Sequence, residues 1–321
     1  MNPSAPPATP AKDFLSILDL SSRDLMRLID LAAQMKAERC LADQAPTANV
    51  LRGRHVAMLF EKPSLRTRST FEIAVRELGG QTLDLPAQFA DGGREPLEDV
   101  ARNLERWVKA LVVRTYAHAK VITFAAAAPM LHVINALSDQ EHPCQALADM
   151  LTLREHLGTC QGRTVAYVGD GNNVAASLAH AAPQLGMSVH LASPPGYELP
   201  ARVVQEATRL ARDGARVRVF VDPREAVEGA DAIYTDVWTS MGQEVEAAKR
   251  RRIFRPYQVD SALMAAAAPG ALFMHCLPAH CGEEVTTDVF ESGASVVFDQ
   301  AENRLHCQKA LLHMLLNPTL A

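Results

Sequence analysis

No stretch of this 321-residue sequence reaches about 18 consecutive apolar residues, the length a helix needs to cross a membrane, so no span is expected. A strong positive charge is also missing. The 32 Lys and Arg stand against 37 Asp and Glu, a net charge of −5, which weighs against a general nucleic-acid surface and makes any anion site local. The cysteines at 40, 144, 160, 276, 281 and 307 are too scattered for a small disulfide scaffold, and no secretory signal precedes them. Reduced thiols in a cytoplasmic protein are expected. Residues 1–11 are rich in Pro and Ala and hold no arginine, so they read as a disordered tail and not a transit peptide. There is no internal repeat at a spacing of about 20–50 residues. There is also no G-x-x-x-x-G-K-[ST], which disfavours a P-loop ATPase.

What is present is a 48% apolar chain long enough for two domains. After a serine-capped helix, "SSRDLMRLIDLAAQMKAERC", strand and helix patterns alternate: "HVAMLF", "RTRSTFEIAVRELGG", "TLDL", "LEDVARNLERWV", "ALVVRT", "AKVITFAAAA", "HVINAL". "HPCQALADMLTLREHLG" reads as a bridging helix with Pro143 in its first turn. A second alternating set starts at "TVAYVGD", and "AENRLHCQKALLHMLL" forms a final amphipathic helix. The expectation is an α/β protein of two doubly wound parallel-sheet domains, with helices on both faces and interdomain helices linking them. The first domain is read as 1–150, with a C-terminal helix, 303–321, packing back on it; the second is read as 151–302.

Polar residues cluster where such sheets place their sites, at the C-terminal ends of strands. Ser64–Arg68 follows the first strand, Arg114 ends "ALVVRT", and His142 comes just after "HVINALSD". Asp170–Asn173 follows "TVAYVG", Asp236 ends "AIYTD", and Cys276 ends "ALFMHC". In "KPSLRTR", Pro63 disfavours helix at Lys62, Ser64 is a plausible N-cap, and the freed N–H groups with Arg66 and Arg68 suit a phosphate. The bland alternative is an ordinary helix start with solvated arginines. His142 and Gln145 share a helix face and could hold a small carbonyl compound, or could equally be a cap and a surface residue. Lys249–Arg252 reads as a solvated basic face.

Two rival chemistries come from the same inspection. "VGDGNN" supplies two glycines of a dinucleotide fingerprint, but Val174 stands at the third position and Ser193 where a ribose-binding acid belongs. "HCLPAHC" raises zinc, yet no second ligand pair has a recognisable spacing, and strand alternation should separate His275 from Cys276. Cys281 and Cys307 read as partly buried thiols.

Taken together, "SLRTR" (64–68), "HPCQALADMLTL", "VGDGNNVAASL", "DVWTSMGQE", "HCLP" and "FDQAENRLHCQKALL" resemble, in order, the motifs of the aspartate/ornithine carbamoyltransferase family, ornithine branch. The resemblance covers nearly the whole chain after the tail. It implies transfer of the carbamoyl group of carbamoyl phosphate to the δ-amine of L-ornithine, giving L-citrulline and phosphate, as a step of arginine biosynthesis. By resemblance, Ser64, Leu65, Arg66, Thr67 and Arg114 hold the phosphate, and His142, Gln145 and Arg304 orient the carbamoyl carbonyl. The backbone of Cys276 and Leu277 receives the carbamoyl NH₂, and Asn173, Asp236, Ser240 and Met241 bind ornithine. Arg66, His142, Cys276 and Arg304 are the implied catalytic residues, with no cofactor and no metal. The resemblance further implies a homotrimer in which the 86–96 loop of a neighbour reaches the phosphate. Here Ala90 stands where relatives carry glutamine, with Gln88 two residues earlier, and Cys281 stands where relatives often have arginine. Nearer alternatives are a sister enzyme acting on putrescine or an N-acylated ornithine; an NAD-dependent oxidoreductase is a more distant one.

Overall fold

A computed structural model describes residues 12–90, 95–239 and 244–317. Among them, nine strands form two sheets, and every pairing between named strands is parallel. β1 (His55–Phe60), β2 (Gln81–Leu85), β3 (Ala110–Arg114) and β4 (His132–Leu137) make the first, in the order β2-β1-β3-β4. β5 (Thr164–Val168), β6 (Ser188–Ala192), β7 (Val217–Phe220), β8 (Ala232–Thr235) and β9 (Leu272–His275) make the second, in the order β7-β6-β5-β8-β9. Parallel strands covered on both faces are apolar along their buried length, and "VAMLF" of β1 and "AIYT" of β8 are buried as that rule requires.

Among the described residues, twelve α-helices join and cover the strands: α1 (Ser22–Ala37), α2 (Leu65–Glu77), α3 (Leu97–Trp107), α4 (His118–Ala127), α5 (Pro143–Leu157), α6 (Asn173–Ala181), α7 (Ala201–Leu210), α8 (Pro223–Val227), α9 (Ala247–Phe254), α10 (Ser261–Met264), α11 (Thr287–Phe290) and α12 (Val297–Leu316). Ser21 caps α1 by accepting from the N–H of Asp24, as its position suggests. α5 starts at Pro143 and ends before Gly158 in a positive-φ conformation; its first eleven residues are buried. α12 packs on α1, α2 and α5 and also touches β9, so it joins the two halves. It begins at Val297, earlier than the 303–321 reading, and residues 318–321 lie outside the described ones.

α6 gives way after Ala181 to a 3₁₀ turn, Ala182–Leu185, where Pro183 has no N–H to continue the ladder. Two local readings change. Arg250 does not belong to a solvated face. It is buried, donates to the carbonyl of Trp238 and to Asp170 at 2.5 Å, and lies over the rings of Tyr197 and Phe254. Cys281 is exposed and Cys307 fully buried, so neither is intermediate.

Candidate functional site

Both sheets change winding direction at a point where ligands collect: between β1 and β3 in the first, and between β5 and β8 in the second. The strand ends at these two points line one cleft of about 360 Å³. From the first sheet come Lys62, Ser64, Leu65, Arg66 and Thr67 after β1, and Arg114 from β3; His142 stands at the N-cap of α5. From the second come Asn173, Asp236, Cys276 and Leu277; Arg304 of α12 reaches in from behind.

The turn after β1 is built for an anion. Ser64 occupies the N-cap position of α2, but its side chain makes no capping bond, so it leaves the N–H groups of the first turn uncovered. Leu65 is 77% exposed at the cleft mouth. The Arg66 guanidinium forms no hydrogen bond or ion pair among the described residues and lines the cleft. Arg68 does not join it. Two residues apart on a helix they diverge, and Arg68 pairs with Asp84 at 2.5 Å and lies over the Phe60 ring.

Behind the turn, Arg304 is fully enclosed. It donates to Thr67 Oγ1 at 2.5 Å and to Gln145 Oε1, and approaches His142 Nε2 at 3.3 Å. Arg114 reaches the same Thr67 hydroxyl at 3.3 Å. Burial and then Arg304 lower Arg114 to about 10. Burial, then Arg304, Arg114 and Arg66 push His142 well below its usual value, so its ring is neutral. With Nε2 facing an arginine N–H, the proton of that ring belongs on Nδ1, which has no partner among the described residues. Three guanidinium groups crowded together repel one another, and an incoming anion relieves that repulsion.

Gln145 is not at the cleft surface, although it shares a helix with His142. Its amide nitrogen donates to Asp149 at 2.8 Å, which turns its oxygen toward Arg304. Asp149 also accepts from Gln300 at 2.7 Å, and Gln300 in turn accepts from the N–H of His275 at 3.0 Å. Burial outweighs these donors and raises Asp149 to about 7. The folded state therefore keeps a proton that the unfolded chain releases near 3.8. That contribution to stability is complete below the unfolded value and is lost as pH rises toward 7. Asp149→Asn removes the titration. Its Tm, relative to the parent, is expected to rise steadily between about pH 4 and pH 7; a constant difference would mean the carboxyl does not titrate there.

On the opposite wall, the Cys276 thiol donates to Asp236 Oδ1 at 3.0 Å. Burial and then Asp236 hold it well above the ordinary thiol range, so it is no thiolate nucleophile. Asn173 donates to the carbonyl of Ser138 at 2.6 Å. Ser240 and Met241 lie outside the described residues. Strand alternation does not separate His275 from Cys276 in "HCLPAHC", because β9 ends at His275 and Cys276 falls beyond it. Donor atoms of Asp236, His275 and Cys276 in fact lie within 4.8 Å of one another. They are already engaged: the thiol with Asp236, and His275 Nδ1 with the N–H of Leu277 at 2.9 Å. His280 is an exposed ring and Cys281 is exposed, so neither completes a ligand set.

Gly171 answers the dinucleotide reading. A Cβ there would lie 2.2 Å from the nitrogen of Leu199 and 2.4 Å from the carbonyl carbon of Glu198. The glycine admits the chain's own backbone, in the role a pyrophosphate-binding glycine gives to its ligand. Ala90 is buried while Gln88 is exposed, so of the two only Gln88 is presented outward. Asn172, which falls inside the Asp170–Asn173 cluster but had no role assigned to it, caps α6 and contacts Asp236; an asparagine immediately before a helix was the available signal. Lys62, inside "EKPSLRTR", was likewise passed over as a lining residue.

Comparisons with known proteins agree with this geometry. Residues 12–155 match the family model described as "Aspartate/ornithine carbamoyltransferase, carbamoyl-P binding domain", and residues 161–315 match its "Asp/Orn binding domain". The chain is 51% identical over 313 residues to the ornithine carbamoyltransferase of Parafrankia sp. (strain EAN1pec), covering 97% of this chain and 98% of that protein. It is 50% identical over 303 residues to that of Geobacillus stearothermophilus, covering 94% and 96%. The solved ornithine carbamoyltransferase of Pyrococcus furiosus superposes with a TM-score of 0.89 at 48% identity, over 94% of this chain and 96% of that one.

Proposed function

Because the chain belongs to the aspartate/ornithine carbamoyltransferase family, we propose that its cleft transfers the carbamoyl group of carbamoyl phosphate to the δ-amine of L-ornithine, releasing L-citrulline and phosphate. The observation that carries this reading is the division of the cleft. One wall holds three arginines and an uncapped helix start, and the other holds a carboxylate, Asp236, with Asn173 also lining the cleft. In this reading the first half, 1–150 with the terminal helix, binds carbamoyl phosphate and the second half, 151–302, binds ornithine.

The roles follow from charge and reach. Ser64, Leu65, Arg66, Thr67 and Arg114 hold the phosphate through first-turn N–H groups and forked guanidinium donors. Arg304, with the neutral His142 ring beside it, stabilises the carbonyl oxygen as negative charge develops on it. Gln145 keeps Arg304 in place, and the backbone around Cys276 and Leu277 takes the carbamoyl NH₂. Asp236, Asn173, Ser240 and Met241 hold the amino-acid end of ornithine. The δ-amine, with an ordinary pKa of about 10.4, is favoured in its neutral form by the surrounding positive charge. It attacks the carbonyl carbon; the tetrahedral intermediate collapses with loss of phosphate, which can carry away the amine's proton. No step needs a metal or a redox cofactor. The wider expectation is a cytoplasmic homotrimer, or a multiple of it, working in arginine biosynthesis.

A substrate panel tests the reading. Carbamoyl phosphate is supplied with ornithine, acetylornithine, succinylornithine, putrescine or aspartate, and carbamoylated product is measured. Ornithine is expected to dominate; a preference for any other amine overturns the assignment. Asp236→Asn is expected to raise the ornithine KM by about tenfold or more, through loss of a charged hydrogen-bond acceptor, with a far smaller change for carbamoyl phosphate. Equal changes in the two would mean that Asp236 does not hold ornithine.

A further inference from the structure

We propose that Asn172 is the positioning residue for Asp236, and thereby sets the affinity for ornithine without touching it. The inference rests on the reading of Asp236 as the group that holds the amino-acid end of that substrate.

The Asn172 side chain is fully committed. Its Oδ1 accepts from the N–H of Val174 at 3.0 Å, the N–H of Ala175 at 3.1 Å and the hydroxyl of Tyr167 at 3.2 Å. All three are donors, because burial holds Tyr167 protonated. The amide therefore cannot flip: reversing it would set its N–H groups against three other donors. Nδ2 is left facing Asp236 Oδ2, at 2.8 Å.

Asp236 is thus held from two sides. Cys276 donates to one oxygen and Asn172 to the other. Each carboxylate oxygen has two acceptor sites, so one on each remains for a ligand. Since Asp236 lines the cleft, an ammonium meets a carboxylate whose orientation is already fixed. Fixing it beforehand spares the ordering cost that binding would otherwise carry. Asn172 itself is not among the cleft-lining residues. The helix cap and the carboxylate clamp are the two ends of one amide, so α6, the strand end after β5 and the strand end after β8 are locked together at the switch point of the second sheet.

The test is a double-mutant cycle on the full-length enzyme. Asn172→Ser keeps an oxygen able to cap α6 but is too short to donate to Asp236. It is expected to raise the ornithine KM about tenfold, as the loss of a hydrogen bond to a charged group implies, while the carbamoyl phosphate KM stays within about twofold. In an Asp236→Ala background the same change is expected to add nothing, because its target is gone. Additive effects would overturn the proposal, since Asn172 would then act on something else. An unchanged ornithine KM in Asn172→Ser, with Asp236→Ala raising it, would also overturn it. If Asp236→Ala leaves the ornithine KM unchanged, the underlying assignment of Asp236 fails instead. Asn172→Thr, a second hydroxyl cap, gives the same cycle should the serine variant fail to fold.

Discussion

Arg66→Ala is expected to lower kcat/KM for carbamoyl phosphate by about a thousandfold, with no loss of thermal stability. Removing one preorganised donor from a site where negative charge develops typically costs about 10²–10³ in rate, and this residue also supplies charge for binding. Stability should hold because the Arg66 guanidinium makes no hydrogen bond or ion pair among the described residues, and burial lowers its own pKa. In the folded chain it is a charge held beside Arg114 and Arg304 without a counter-ion, so its removal relieves strain. The readout is steady-state kinetics alongside a melting curve. A near-parental kcat/KM would remove Arg66 from the anion site, and a large fall in Tm would show that it holds the fold.

Arg304→Ala is expected to show the opposite combination: a comparable loss of activity together with a lower Tm. Its guanidinium bridges Thr67 of α2 and Gln145 of α5 from α12. Without it, the oxygen of Gln145 loses its donor inside the protein. The expected cost is about 2 kcal/mol, or roughly 5 °C, after allowing for the relief of arginine–arginine repulsion. Arg304→Lys should not rescue activity, because one ammonium cannot replace a fork that reaches both partners. Recovery by lysine would mean that charge alone matters at this position.

The contrast between these two arginines marks what the sequence could and could not tell. The strands were legible because buried parallel strands are apolar runs, and "HVAMLF" can be little else. The clustering of the site was legible because charged residues ended those runs. Direction was not. Arg66 and Arg68 look equivalent in "SLRTR", but a helix turns them apart, one into the cleft and the other onto Asp84. Long-range partners were equally hidden. Nothing near Arg250 announces Asp170, and nothing near Asp149 announces Gln300. Arg304 and Gln145 were named through the family motifs, but their hydrogen bond, which moves Gln145 one layer back from the substrate, depends on how α5 and α12 pack.

The position of Arg304 also has a consequence in time. Thr67 is separated from the guanidinium that completes its surroundings by 237 residues. At ordinary translation speeds of about 5–20 residues per second, roughly ten seconds to a minute pass between the two. Throughout that interval the nascent chain already carries the turn proposed to hold phosphate but lacks the third arginine. A chain cut short before α12 would be missing that arginine permanently, so the proposed carbamoyl phosphate site is completed only once α12 has been made.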